Sequence, residues 1–503
     1  MTNPLRHPRV SVSFLLALAA AVTAALLVAG PASASGSYTC PPNTGADVQT
    51  GINDGGTVYI HGTCHGNFYV DANNALNVTL IGLGTNPTLN GDGTGPVLEI
   101  SGPANVTIKN LTLTNGSNEV GGGIFAHPGC DETDTICGTP NITVIGSKIT
   151  GNFAAGGGGV YAGGCVNLTV TNTTVSNNSA VDGDGGGLYL DNCPLLTMTG
   201  SSVTRNTAAG FGGGLALFAA DASINASTFS NNMSQFESGG GIDSVFSDLQ
   251  IMNSKLTTNT AYAYGGGIDF GNSQGCLEGP VGNSPASASH HHASASSQPC
   301  IGGPSRNLPV SIPAGLTVTN STVDHNTAMH DGGGGIENFA FGGDSPVTIS
   351  NSTLSFNNAP GNDTDGDSGG GGFHQDTCEF DANTTITSSK IYGNTAVNSM
   401  GGGISNMDFC GGGAEVTLAA TMLQNPNALQ IGNQAKYGGG IYNAFETASV
   451  GLSAHTVIAR NKATVNGGGV YNDCAGSLTI APAVTFLLNM PNNVFNAPGC
   501  LID

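Results

Sequence analysis

Basic residues are scarce in this chain. Its 503 residues include 11 Lys plus Arg against 33 Asp plus Glu, for a formal charge of −22. Nucleic-acid binding needs a basic footprint, so that class is excluded, and anionic membrane surfaces are disfavoured on the same ground. An acidic surface implies solubility and attraction for cations. After residue 30 no apolar run is long enough to span a bilayer. Glycine at every third position is missing, which excludes collagen. Gly-Gly-x-Gly-x-Asp repeats are missing too, which excludes calcium-binding nonapeptide rolls. Helical solenoids need a 3.6-residue apolar period, and the abundance of Gly, Thr, Asn and Val argues against one.

What is present is a repeat. The residue after each glycine run is Ile124, Val160, Leu188, Leu215, Ile242, Ile268, Ile336, Phe373, Ile404, Ile441 or Val470, and all eleven are apolar. The steps from Val160 to Ile268 are 28, 27, 27 and 26 residues, and a step of 68 then leads to Ile336. Upstream of most runs an apolar residue is followed three positions later by Asn, as at Asn152, Asn178, Asn206, Asn232, Asn259, Asn326 and Asn394. Asn115, Asn358, Asn433 and Asn461 are weaker versions. Further upstream lie alternating segments such as Val106-Thr-Ile108 and Val347-Thr-Ile349.

Apolar residues at i and i+2 turn one face of a strand inward. Three such segments per repeat make a triangular coil that cannot bury its own inward face, so coils must stack. At an interstrand spacing of ~4.8 Å, equivalent residues lie above one another and the asparagines form a ladder. The fold class is therefore all-β: a right-handed parallel β-helix of about a dozen coils, with the hand set by the general rule for parallel crossovers.

The pattern apolar-x-x-Asn followed by Gly-Gly-x-[Ile/Leu/Val] resembles the repeats of polymorphic outer-membrane proteins, within the pectate-lyase-like superfamily. The resemblance covers residues 106–480. It implies either an adhesin-like surface protein or, from the wider group, a polysaccharide lyase or hydrolase. It departs from the outer-membrane proteins after the repeats, where no barrel segment lies between Ile480 and Asp503.

In chain order, residues 1–34 read as a secretory signal: Arg6 and Arg9, an apolar core, then Ala32-Ser-Ala34. Residues 35–100 are expected to form an N-terminal cap and first coils, with a short helix at residues 46–52. Residues 101–476 carry the repeats, with a loop insertion at 271–309, and residues 477–503 a last partial coil and cap. Twelve cysteines in an exported chain suggest disulfides, and without a Cys-x-x-Cys these stand ahead of zinc. Cys165 and Cys193 each lie five residues past their post-glycine residue, so stacking places them together, and Cys378 and Cys410 are nearly equivalent. Cys40–Cys64, Cys130–Cys137, Cys276–Cys300 and Cys474–Cys500 are the nearest remaining pairs. The insertion carries His290-His-His292, a run that could bind a transition metal or be incidental.

In the strand after each glycine run the apolar residue points in and the next points out. Four consecutive coils thus present Asp243, Asp269, Glu337 and His374 outward, with tyrosines further along the same column. Two carboxylates ~5 Å apart repel by about 1 kcal/mol in water and roughly 3 kcal/mol at an effective dielectric of 20. Solvent, a bound cation or a shared proton must relieve that. Such a row is what general acid–base catalysis or calcium binding requires, and it is equally what a solvated polar strand displays. Asp363, Asp365 and Asp367 alternate around Gly366 like the start of a calcium loop. They make calcium the one candidate cofactor. The paired-aspartate and Arg-x-Lys patterns of polygalacturonases, an arginine base for lyase chemistry and Ser/His/Asp signatures are all missing. The sequence reads as an exported binding or surface-interaction β-helix facing a polysaccharide or cell-surface partner. The second class is a polysaccharide lyase or hydrolase using the Asp243, Asp269 and Glu337 face, and the third a passive structural protein.

Overall fold

A computed structural model describes residues 36–71, 77–130, 137–272, 315–341, 343–361, 369–378, 380–427, 430, 432–445, 447–473 and 475–498. Outside them lie the leader, His290–His292 with nearly all of the insertion, Asp363, Asp365 and Asp367, and all four cysteines of the expected Cys276–Cys300 and Cys474–Cys500 pairs.

One coil explains the rest. Asn167–Thr171 and Thr174–Ser176 lie in a 27-stranded sheet, Ser179–Ala180 in a 7-stranded sheet and Leu188–Asp191 in a 14-stranded sheet. Each strand pairs in parallel with its counterparts one coil away, so Leu168 faces Ile142 on one side and Leu196 on the other. Strand alternation buries Leu168 and Val170 and leaves Thr169 and Thr171 outward. Repeated through the stack, this builds one continuous apolar core. Together the stacked sheets form a right-handed parallel β-helix, as expected, with fourteen strands in one sheet among the described residues.

The corners are made by side chains that repeat with the coil. Asn172 sits at φ +47°, a left-handed conformation that Asn tolerates better than most residues. The next residue, Thr173, is buried, and its amide donates to Ser201 Oγ at 3.2 Å. The same link runs on through Ser227, Ser254, Ser321, Ser352 and Ser389. This hydroxyl ladder is why triplets such as Asn172-Thr-Thr and Asn351-Ser-Thr recur: a left-handed Asn, a buried hydroxyl, an outward Thr.

The asparagine ladder occupies the second corner. Asn206 Nδ2 donates to Asn232 Oδ1 at 3.1 Å and to the Val175 carbonyl at 3.0 Å. Two expected members are corrected. Asn357, not Asn358, follows Asn326, since Leu354 is the apolar residue three positions earlier. Asn115 lies outside the ladder and pairs with Asn90, while the Gly116 amide takes Asn152 Oδ1. The ladder also runs past Asn461 to Asn489. Glycine is required beside it: a Cβ on Gly159 would lie 2.5 Å from the Gly187 carbonyl of the next coil.

Cys40–Cys64, Cys130–Cys137, Cys165–Cys193 and Cys378–Cys410 are disulfides, with Cα separations of 5.1, 4.0, 4.4 and 4.5 Å. Residues Gly45–Asn53 form the one helix among the described residues, α1, whose Thr44–Asp47 capping box satisfies its first turn. Its buried Val48 and Ile52 pack on the first coil. That covers an end that would otherwise expose both core and strand edges. Among the described residues no helix is long and apolar enough to cross a membrane.

Candidate functional site

Strand pairing brings Asp243, Asp269, Glu337 and His374 into one unbroken column. Asp243 lies opposite Asp269, Asp269 opposite Glu337 and Glu337 opposite His374. The 68-residue step does not disturb the register; the extra chain leaves and returns between Asn272 and Leu316.

The column does not, however, lie on a solvated face. Asp243 and Asp269 are 4% and 3% exposed, and Glu337 and His374 are fully buried. The side chains do point away from the apolar core, as strand alternation requires. A second layer covers them: among the described residues, arms that lead from a short strand into the next glycine run, such as those carrying Ser238 and Gly332, lie against this row. Ser238, on one arm, hydrogen-bonds Asp269. Gly332 lies so close to the His374 ring that a Cβ there would collide with Nδ1, and a Cβ on Gly333 would lie 2.6 Å from Glu337 Oε2. Over Glu337 and His374 the cover is glycine backbone.

Burial controls the chemistry beneath. It pushes the Asp243 and Asp269 pKa values well above the ordinary carboxylate range, and the neighbouring carboxylates Asp269 and Glu337 push in the same direction. Burial also raises Glu337, to about 7, against the opposing pull of His374. Burial alone would lower the His374 pKa, but the Asp376 and Glu337 carboxylates outweigh it and hold the imidazole well above its usual value. One coil edge away, Asp184 accepts from the Phe211 amide at 2.8 Å, and burial raises its pKa to about 7.

His374 stands between two acids. Its Nδ1 lies 3.0 Å from Glu337 Oε2, and its Nε2 lies 3.0 Å from Asp376 Oδ1. Asp376 is the member that sequence reading missed. A signal existed, because His374-x-Asp376 are two apart on one strand and share a face. One donor atom each from Glu337, His374 and Asp376 lie within 4.8 Å of one another, a cluster able to hold a metal ion. Among the described residues, Asp243 Oδ1, Asp269 Oδ1, Glu337 Oε1 and Asp376 Oδ2 have no hydrogen-bond partner.

The tyrosines of the same column are occupied with one another. Tyr161 and Tyr189 meet edge-on at 5.5 Å, and Tyr442 and Tyr471 stack at 5.3 Å. A second amide ladder, also missed, fills the core side of the last coils. It runs Asn338, Gln375, Asn406, Asn443 and Asn472 through bonds of 2.8 to 3.2 Å. Its signal was a polar residue two positions after each post-glycine apolar residue.

A family model described as "Right handed beta helix region" matches residues 53–221 and 96–279. No curated protein matches the chain.

Proposed function

Starting from a chain that is a right-handed parallel β-helix repeat protein, we propose that it works outside the cell as a binding, adhesin-like module. Its partner is a polysaccharide or another cell-surface ligand. Four disulfides favour an oxidising, extracellular setting. The observation that carries the reading is a contrast in access. The acidic row is closed, whereas among the described residues the outward threonines of the 27-stranded sheet are half-buried or exposed.

That face is regular. Thr79, Thr107, Thr143, Thr169 and Thr197 pair in register, and beyond two further coils so do Thr317, Thr348, Thr385 and Thr417. Hydroxyls and methyls repeating every ~4.8 Å suit a partner that is itself extended and periodic. At the edge of this face Phe356, 41% exposed, lies 5.1 Å from the His325 ring and 5.4 Å from Tyr392. Such a surface offers ring faces to sugars.

The second reading is a polysaccharide lyase or hydrolase. A carboxyl group whose pKa burial raises to about 7, as at Glu337, is what a general acid needs. For it to operate, the arms would have to lift. The test is binding and product release with a panel of uronic-acid and neutral polysaccharides, with and without calcium. Binding without release, weakened about 2- to 10-fold by Phe356→Ala, is the expected result. Release of unsaturated or reducing ends, abolished by Asp269→Asn, would replace the binding reading with the enzyme one.

A further inference from the structure

We propose that Glu337, His374 and Asp376 hold a divalent transition-metal ion of the zinc class. The inference is independent of the binding reading above and rests on the geometry of these three side chains. Each is fully buried, and one donor atom from each lies within 4.8 Å of the others. His374 Nε2 and Asp376 Oδ1 lie 3.0 Å apart without the alignment of a hydrogen bond. Two donors on a common tetrahedral ion with bonds of about 2.0 to 2.2 Å sit roughly 3.3 Å apart. The separation is close to that of two ligands of one ion, and the missing alignment argues against a proton held between them.

A nearby carboxylate serves as an internal control. Asp408, on the next strand of the same sheet, accepts from the amides of Gly411 at 2.8 Å, Gly412 at 3.0 Å and Thr447 at 3.1 Å, and from the Thr447 hydroxyl. Its acceptor capacity is filled by protein. Asp376 Oδ2 and Glu337 Oε1 have no protein donor among the described residues. Buried carboxylates left in that condition are paired or coordinate metals.

The donor set selects the class of ion. Calcium takes six to eight oxygens, whereas one imidazole nitrogen with two carboxylate oxygens suits zinc and its neighbours. Three protein ligands are also enough for a zinc site.

The experiment uses the protein carrying His290→Ala, His291→Ala and His292→Ala, so that the histidine run contributes no metal. After chelator treatment and dialysis it is loaded with zinc, and separately with cobalt, and the metal is measured per chain. The expected result is one retained equivalent, a visible cobalt absorption, and a melting temperature that the chelator lowers and zinc restores. Asp376→Asn and Glu337→Gln keep size and shape and should weaken retention by more than about 100-fold, beyond the loss typical of an outer partner. Background metal content overturns the proposal, as does a melting temperature indifferent to chelator and zinc. Retention unchanged in both variants overturns it too, and calcium held in place of zinc overturns the class of ion.

Discussion

Two columns of polar side chains run up this solenoid, and they meet their burial in opposite ways. In the asparagine ladder each Oδ1 receives an amide and a side-chain N–H from the coil before, and each Nδ2 donates to a carbonyl and to the coil after. An amide carries both donor and acceptor, so translation by one coil satisfies it. The acidic row has the same translation and comparable burial. A carboxylate only accepts, so stacked copies cannot satisfy one another. The row needs what the ladder does not: protons, an imidazole or an ion.

Breaking the ladder should have the largest effect. Asn232→Leu strands the Asn206 amide, the Asn206 side-chain N–H and the Val203 carbonyl. Each buried group left unpaired costs about 1 to 3 kcal/mol, so a loss on the order of 3 kcal/mol or more is expected in denaturant unfolding. The isosteric change in the other column should act in the opposite direction. Asp269→Asn removes a buried acid from beside Asp243 and Glu337 and should stabilise the fold by on the order of 1 kcal/mol at neutral pH. Destabilisation by that change would show the row to be held by ionised Asp269.

The acidic row also makes stability depend on pH. Its carboxyls keep their protons to higher pH in the folded than in the unfolded chain, so the folded state binds more protons between about pH 4 and 7. Stability therefore falls as pH rises through that window. His374 has the same sign: its raised pKa gives stability that is complete below about 6.5 and lost as pH rises through the folded value. Chelator-treated protein should melt lower at about pH 8 than at about pH 5, and a rising melting temperature across that range would contradict the assignment. The smallest effect is expected outside both columns, where Thr169→Val should change stability by no more than about 0.5 kcal/mol. Any larger effect of that change should appear in ligand binding.

The sequence makes the ladder legible because translation writes it out: the same residue at the same offset from an apolar position, coil after coil. At Asn357-Asn358 two asparagines stand side by side, and only the spacing from Leu354 tells which one joins the ladder. The in-register column from Asp243 to His374 was legible for the same reason. Its cover was not. The arms over it vary in length and composition, and what roofs Glu337 and His374 is largely the backbone of Gly332 and Gly333, which leaves no side-chain pattern to read. Asp376 shares the outward face of its strand with His374, but no other coil places an acid at that second outward position beside a histidine, so no repeat marks it.

The central claim is that the acidic column is sealed, and carboxyl labelling tests it directly. The folded protein would be treated with a carbodiimide and an amine, digested, and the modified residues located by mass spectrometry. Asp243, Asp269, Glu337 and Asp376 should stay unmodified while exposed Asp221 and Glu415 react, and unfolding should abolish the difference. Modification of Asp243 and Asp269 at the rate of Asp221 in the folded protein would contradict the account and return the row to the solvent-facing site expected from sequence.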